Sequence, residues 1–490
     1  MNRRRFCQST LLAGGALALT PLLRAAGSEI NAVSTSGKEL TLPASAVDDL
    51  AAGLRGPLLL PGSAGYDEAR QVLNPTIDKH PALVVQPSGV ADVSRAVQFA
   101  QAHNLPTAIK CGGHSNSGKG TVNGGLLVDL TRFRHVRVDP EQRLAYVSGG
   151  SLLGAMDHES LAQGLVTTAG TVSHTGVGGL ATGGGFGRLA RKYGLTLDNM
   201  HAVDVVSADG KLRHASAEEH EDLFWAVRGG GSNFGVVTGF EFQLHPMERH
   251  VLLGNFFYPM NRLADALAFY GEFSTNAPDE MSTDLIYGFP PGNTNGFVFF
   301  QCVYCGEEAR GRKLLEKFSA LGKPIRESIG MEDYEKIQRS GDNDAPRATA
   351  SYMKGGFLSE FSPGMIDDIV GGLEPGAGRS TMMIFQQAGG AIGRVPADAT
   401  AFPHRYATHN MMATVGWKPD QPRDRHVNYI KGFWQLMAPY THGFYTVEAA
   451  DDNQDQWSRN YQGNHARLAT IKRRYDPDNI FRLNANVKPA

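Results

Sequence analysis

The chain has 490 residues, more than one ordinary core supports, and a globular composition: 41% hydrophobic, 20% charged, with glycine at 58 positions. The glycines fall in discrete clusters between apolar segments, which excludes a disordered polar tract. A formal charge of −2 with no long basic run gives nucleic acid no electrostatic footing as a partner.

Residues 1–27 open with Arg3-Arg4-Arg5-Phe6 and continue through a weakly apolar run, Leu11 to Leu23, broken by Gly14, Gly15 and Pro21. They close on Arg24-Ala25-Ala26-Gly27. This order predicts an export signal, and the paired arginines before Phe6 point to the twin-arginine machinery. The run is too short for a stable membrane anchor. A periplasmic or secreted protein is therefore expected. Cys7 lies inside the signal, leaving Cys111, Cys302 and Cys305, an odd count with no disulfide framework.

From Pro81 the text alternates. ALVVQP (82–87) reads as a buried strand, and Val90, Val93, Val97 and Ala100 recur at helical spacing behind Ser88 as N-cap. PTAIK (106–110) is a second strand, so 82–110 predicts a βαβ unit. GGLLVDL (124–130) is another strand, and RHVRVDP with RLAYVSGG (134–150) forms a strand meander. A helix follows at 151–165, then a Gly-rich segment, then a hairpin over 201–216 turned at Asp209-Gly210. Residues 220–244 read helix, glycine turn, strand.

Beyond His245-Pro246 the character changes. Residues 247–444 predict a second domain with LLGNFFY, STDLIYGF, GFVFFQCVY and TMMIFQQ in a mainly antiparallel sheet. Cys302 and Cys305 stand three apart in that alternation and so face opposite sides; they read as packing residues, and no metal site is expected. Residues 461–490 give a helix stopped before Asp476-Pro477, then a compact tail.

Three glycine clusters lie in the first domain, at 112–113, 176–187 and 229–231. The second, TGVGGLATGGGFG, packs seven glycines into residues 176 to 187. Each glycine costs roughly 0.5–1 kcal/mol in a regular element, so this density points to backbone hugging a large flat or anionic ligand. Three such loops imply a ligand of dinucleotide size. In the first loop, IKCGGHSNSG (109–118), His114 is either a contact to that ligand or a turn residue.

Two motifs fail. Gly176-Val-Gly178-Gly-Leu-Ala181 matches GxGxxA, but no apolar strand precedes it and glycines follow where a helix should begin. Gly113 to Lys119 matches GxxxxGK, but Gly120 stands where a P-loop needs a hydroxyl. The ligand is therefore read as neither NAD nor ATP.

The ordered motifs of residues 75–245 resemble the flavin domain of the vanillyl-alcohol-oxidase/p-cresol-methylhydroxylase superfamily. They include AIKCGGHSNSG, GGLLVDL, AGTVSHTGVGGLATGGGFGRLARKYGLTLDNM and HEDLFWAVRGGGSNFGVVT. The tail WSRNYQGNHARLATIKRRYDPDNIFRLN (457–484) resembles the berberine-bridge-enzyme-like branch. The resemblance implies an α+β fold: a PCMH-type FAD-binding domain of two α/β subdomains, plus a substrate domain with an antiparallel sheet covered by helices. In that arrangement 28–246 binds FAD, 247–444 binds substrate, and 445–490 returns to the FAD domain.

The resemblance places His114 where the family bonds histidine covalently to the 8α carbon of FAD, although Lys110-Cys111 replace the usual Arg-Gly. Val172 stands where many members carry a second, cysteinyl link, so a single bond is implied. Further FAD contacts are implied at Gly112, Gly113, Ser115, Gly170, Thr171, Gly176, Gly178, Gly179, Val237 and Asn464. His174 reads equally as a site contact or a turn residue. Thr175 replaces a residue that bears on oxygen access, which leaves oxidase and dehydrogenase both open.

For catalysis the sugar-oxidising members of the family use a tyrosine in Y-x-N-Y-x-D, and Tyr445-Thr-Val-Glu448-Ala-Ala450 stands here instead. Glu448, Tyr445 and Tyr461 are the candidates for proton transfer, and His404 with Arg405 fills either site or packing positions. The implied activity is oxidation of a C–H bond next to oxygen or nitrogen in a small alcohol, hemiacetal or amine, with oxygen or another acceptor reoxidising the flavin. A non-catalytic flavin-fold binding protein is the rival of another class, because Val447 and Glu448 depart from the pattern.

Overall fold

The computed structural model describes residues 29–342, 346–448 and 456–490. The expected export signal, 1–27, lies outside the described residues.

Short apolar strands bury both faces in the first subdomain. Leu126–Asp129 lies between Leu83–Val85 and Thr107–Lys110, parallel to both, and Leu58–Leu59 adds an antiparallel edge. Helix Val90–Ala102 crosses this sheet with Val93, Ala96, Val97 and Ala100 fully buried. The expected strand–helix–strand unit is present, but a third strand separates its two strands. The helix N-cap is Gly89, not Ser88; the Ser88 amide donates instead to Asp92 Oδ2 at 2.8 Å. The Asp92 carboxylate also accepts the amides of Arg55 and Gly56, so it organises the turn in place of a serine cap.

The second subdomain is an antiparallel five-stranded sheet. Its order is Leu212–Ser216, Met200–Val206, Val236–Gln243, Leu144–Ser148, Val136–Asp139. The hairpin turn falls at Asp209-Gly210 as expected, with Gly210 at φ +72°. One expectation fails in the glycine-rich segment: a short helix, Val177–Gly183, does begin there. It is tucked against helix Glu221–Gly230, and this tertiary support overrides the poor intrinsic propensity of its glycines.

The second domain is built on a seven-stranded antiparallel sheet. Its order is Arg326–Asp333, His250–Tyr258, Phe297–Tyr304, Met281–Phe289, Arg379–Gln387, His409–Trp417, Ala350–Leu358. Three of these strands were not expected. Arg326–Asp333 is a charged edge strand, RESIGMED, and Ala350–Leu358 carries Lys354 and two glycines, so neither shows clean alternation. His409–Trp417, HNMMATVGW, is largely buried on both faces and hides its period in the same way.

Alternation in this sheet separates two functions. Leu285, Tyr287, Phe300, Phe385, Met411 and Ala413 point into a core shared with helices Leu263–Thr275, Pro363–Gly372 and Arg423–Met437. The opposite face carries a cross-strand row, Gln301–Asp284–Gln386–Asn410, toward the first domain. Cys302 sits in the helix-side core and Cys305 in a different cluster; both are free thiols.

Helix His465–Tyr475 packs back on Glu221–Gly230. The fully buried Lys472 Nζ donates to Asp476 Oδ2 and Asn233 O at 2.6 Å and to Phe481 O at 2.8 Å. Asp476 in turn accepts the amides of Ile480 and Phe481. Burial pushes the Lys472 ammonium down to about 8, with Asp476 opposing it. Asp476→Ala, which strands a buried cation, is expected to destabilise the chain by about 3–5 kcal/mol in denaturant titration.

Candidate active site

The loops after Thr107–Lys110 and before Val177–Gly183 meet at one cavity between the domains. A Cβ on Gly112 would stand 2.4 Å from the Gly176 amide nitrogen, so the two glycine clusters are in direct backbone contact. Gly112, Gly113, His114, Ser115, Gly170, Thr171, Val172, Thr175, Gly176, Gly178, Gly179 and Val237 line the cavity, which measures about 360 Å³. The amides of residues 113–116 donate to no protein acceptor among the described residues. A Cβ on Gly179 would meet nothing within 4 Å, leaving that wall open. Free amides and a bare glycine wall suit an anionic, flat ligand of the flavin dinucleotide type.

The glycines do not all serve that purpose. Gly183, Gly184 and Gly185 are pressed by Val447, Tyr445 and Thr196, and Gly187 by the carbonyl of Ala169. The third cluster, 229–231, does not line the cavity: Gly229 and Gly230 abut Phe402 and Phe234, and Gly231 lies behind Asn484, which with Ser232 of that turn reaches the cavity wall. Seven of the twelve clustered glycines thus reflect close packing, contrary to the reading of three ligand loops.

His114 Nε2 lies 2.7 Å from His174 Nδ1, with ring centroids 4.7 Å apart. Its other nitrogen, Nδ1, lies 3.3 Å from Thr175 Oγ1. Burial, and then the neighbouring His174, pushes the His114 imidazole down to about 4, so it is neutral at physiological pH. His174 does not line the cavity itself; it backs His114. Behind the loop, buried Lys110 donates to the carbonyls of Ala69 and Gln71 and pairs with Asp129 at 3.6 Å. Cys111 packs against Ser151 O, its thiol pushed up to about 11 by burial, and is inert as a nucleophile.

The second domain and the segment that follows it contribute Met353, Gln386, Tyr445, Val447 and Glu448 to the cavity wall. Burial pushes the Glu448 carboxyl up to about 7, opposed by a hydrogen bond that Asn410 Nδ2 donates to its Oε2 at 3.2 Å. The same Asn410 amide reaches Gln386 Oε1 at 3.1 Å. Asn410 and Gln386 escaped the sequence reading, although a buried amide in an apolar strand such as HNMMATVGW is itself a signal.

Two of the three candidate proton-transfer residues need correction. The Tyr445 hydroxyl accepts the Gly185 amide at 2.7 Å and donates to Leu180 O at 3.4 Å, and burial holds its pKa far above the usual range. Its ring is a wall, not a base. Tyr461 lies in the hydrophobic core, its hydroxyl donating to Ala485 O at 3.3 Å. Asn464, expected at the cofactor, donates to Ala397 O and Thr400 O outside the cavity, because its helix end is needed to tie down that turn. Arg405 forms a buried two-pronged pair with Asp198 at 2.7 Å, a packing role. Tyr445→Phe is expected to leave the pH profile of turnover unchanged while costing about 1–3 kcal/mol through the unpaired Gly185 amide, read by equilibrium unfolding.

Among the described residues no three His, Cys, Asp or Glu side chains are grouped to hold a metal ion, and no helix is long and apolar enough to cross a membrane.

Comparison with known proteins agrees with this geometry. The family model for the FAD binding domain matches residues 81–216, and the model for berberine and berberine-like proteins matches 427–488. An FAD-linked oxidoreductase of Dictyostelium discoideum is 31% identical over 90% of this chain and 97% of its own. The (R)-6-hydroxynicotine oxidase of Paenarthrobacter nicotinovorans is 27% identical, covering 89% and 97%. The solved glucooligosaccharide oxidase of Acremonium strictum superposes with a TM-score of 0.83 at 25% identity, covering 91% of this chain and 98% of that one. That oxidase carries a 6-S-cysteinyl, 8α-N1-histidyl FAD.

Fold and cavity together define a flavin-dependent oxidoreductase. The chain belongs to the FAD-linked oxidoreductases of the berberine-bridge-enzyme-like family.

Proposed function

We propose that this enzyme oxidises a small alcohol, sugar hemiacetal or amine, using an FAD attached covalently through His114 alone. The observation that carries this reading is the shared cavity: the neutral His114 imidazole, the amide-rich glycine loops and a Glu448 carboxyl raised to about 7 line the same space. Sugar-oxidising and hydroxynicotine-oxidising relatives support the substrate range. The residues present fit FAD: the bare wall at Gly179 leaves room for a flat ring system, and the free amides of residues 113–116 would serve as donors to an anionic group.

FAD when bound supplies a hydride acceptor at its ring. The chain's own residues do the rest. Glu448 takes the proton from the substrate hydroxyl or amine as the C–H bond breaks, and Asn410 orients the carboxylate through its Oε2. Met353, Val447 and the Tyr445 ring exclude water from that proton transfer. Val172, lacking a thiol, leaves His114 as the single attachment point, unlike the doubly linked glucooligosaccharide oxidase.

Dioxygen is the proposed electron acceptor, and the twin-arginine signal is proposed to deliver the protein, already carrying its cofactor, to the periplasm. Hydrogen peroxide formed in step with substrate oxidation is the expected result. Turnover only with an artificial acceptor would assign a dehydrogenase, with Thr175 at the oxygen-access position.

A further inference from the structure

The loop Gly170–His174 faces the cavity on one side and the second domain on the other. Gln338 Nε2, in helix Tyr334–Arg339, donates to Gly170 O at 2.8 Å. Arg188 Nη1 donates to Gln338 Oε1 at 2.7 Å and to Thr171 O at 3.4 Å, and its Nε and Nη2 are both fixed on Gln301 Oε1. Asp342 accepts the Ser173 amide at 2.9 Å and the Ser173 hydroxyl at 2.6 Å. None of Arg188, Gln338 and Asp342 lines the cavity.

The next residue along is His174, and its ring has little else to hold it. Nδ1 meets His114 Nε2, while Nε2 is buried with no hydrogen-bond partner among the described residues. The placement of the ring is therefore set by its backbone, which is held from the second domain by Asp342 on Ser173 and from the first domain by the Gly154 amide, which donates to Ser173 O at 2.8 Å. On the other side of the pair, Arg347 donates to Val72 O, the Leu73 amide donates to Gly113 O, and Ser351 Oγ donates to Asn116 Oδ1. The second domain thus grips both histidine-bearing loops from outside.

We infer that Asp342, Gln338 and Arg188 are positioning residues for cofactor attachment: they hold the Gly170–His174 loop so that His174 fixes His114 Nε2 and the attachment to FAD falls to Nδ1, whose neighbour is the longer contact to the Thr175 hydroxyl. This rests on the covalent reading above. In that reaction a His114 ring nitrogen bonds to the 8α carbon, one hydrogen leaves the methyl group and one leaves the imidazole. Both hydrogens, with two electrons, reach dioxygen as hydrogen peroxide, so the balance closes with dioxygen as the oxidant. A displacement of about 1 Å in such a pair is worth about a hundredfold in rate.

The test uses the full chain, produced under riboflavin limitation so that it is purified largely without flavin, and then incubated with added FAD. The flavin remaining on the acid-precipitated polypeptide is followed over time, alongside thermal unfolding. Asp342→Ala and Gln338→Leu are expected to slow attachment at least about tenfold relative to wild type. Asp342→Asn, which retains an acceptor for Ser173, is expected to recover most of the rate. Unfolding temperatures of Asp342→Ala and Asp342→Asn should agree, which separates positioning from general destabilisation.

Attachment at the wild-type rate in Asp342→Ala and Gln338→Leu overturns the inference. If Gln338→Leu does not fold, the surface change Ser173→Ala decides together with Asp342→Ala, and wild-type rates in both again overturn it. If wild type releases all its FAD in acid, the covalent reading fails on its own. Positioning is then read from the dissociation constant of FAD, where equal values in wild type and Asp342→Ala refute it.

Discussion

Replacing His114 with alanine is expected to move all of the flavin from the acid-precipitated chain to the supernatant. The glycine loops remain, so the purified protein should still bind FAD, now exchangeably. Turnover should fall at least about tenfold, because an imidazole on the ring's 8α carbon makes the flavin a stronger hydride acceptor. For a two-electron couple, a loss of about 30 mV costs a factor of ten in that equilibrium. Flavin still attached to the His114→Ala polypeptide would move the linkage to another side chain. The local geometry offers no obvious one: Cys111 is turned toward Ser151 with its thiol raised to about 11, and Val172 has no nucleophile.

The second large effect belongs to Glu448. Glu448→Gln preserves the shape and can keep the contact to Asn410, but removes the basic oxygen. A drop of about 10²–10⁴ in kcat/KM is expected, the usual worth of a general base. The sign of the pH dependence follows from the same residue. Its carboxyl is pushed up to about 7, and only the ionised form accepts a proton, so kcat/KM should rise with pH to about 7 and level off above it. In Glu448→Gln that rising limb should vanish. An unchanged limb in the variant would assign the proton transfer to another group, and Tyr445 is a poor alternative because both hydrogen-bonding capacities of its hydroxyl are committed to backbone.

How much of this was legible beforehand differs from element to element. The ordered loops around His114 and Gly176 were readable because ligand-facing backbone needs particular residues at particular places. The 229–231 glycines were misread because close packing against Phe402 and Phe234 selects the same residue type as a ligand would. Tyr461 and Asn464 looked functional by position in the tail, yet their polar atoms are spent on Ala485, Ala397 and Thr400, which only the tertiary structure shows. Glu448 was visible as a departure from a pattern. Its partner Asn410, and Gln386 bonded to Asn410 in turn, were not, since they come from strands more than twenty residues apart that the sheet brings side by side. The charged edge strand Arg326–Asp333 was lost for a plainer reason: it has no buried outer neighbour to impose alternation.

The covalent bond between His114 and FAD is the claim on which the rest depends, and intact-mass measurement of the purified chain followed by peptide mapping tests it directly. The account predicts a chain heavier by one FAD less two hydrogens, with the addition confined to the peptide that contains His114. An unmodified mass from yellow, active protein would contradict it.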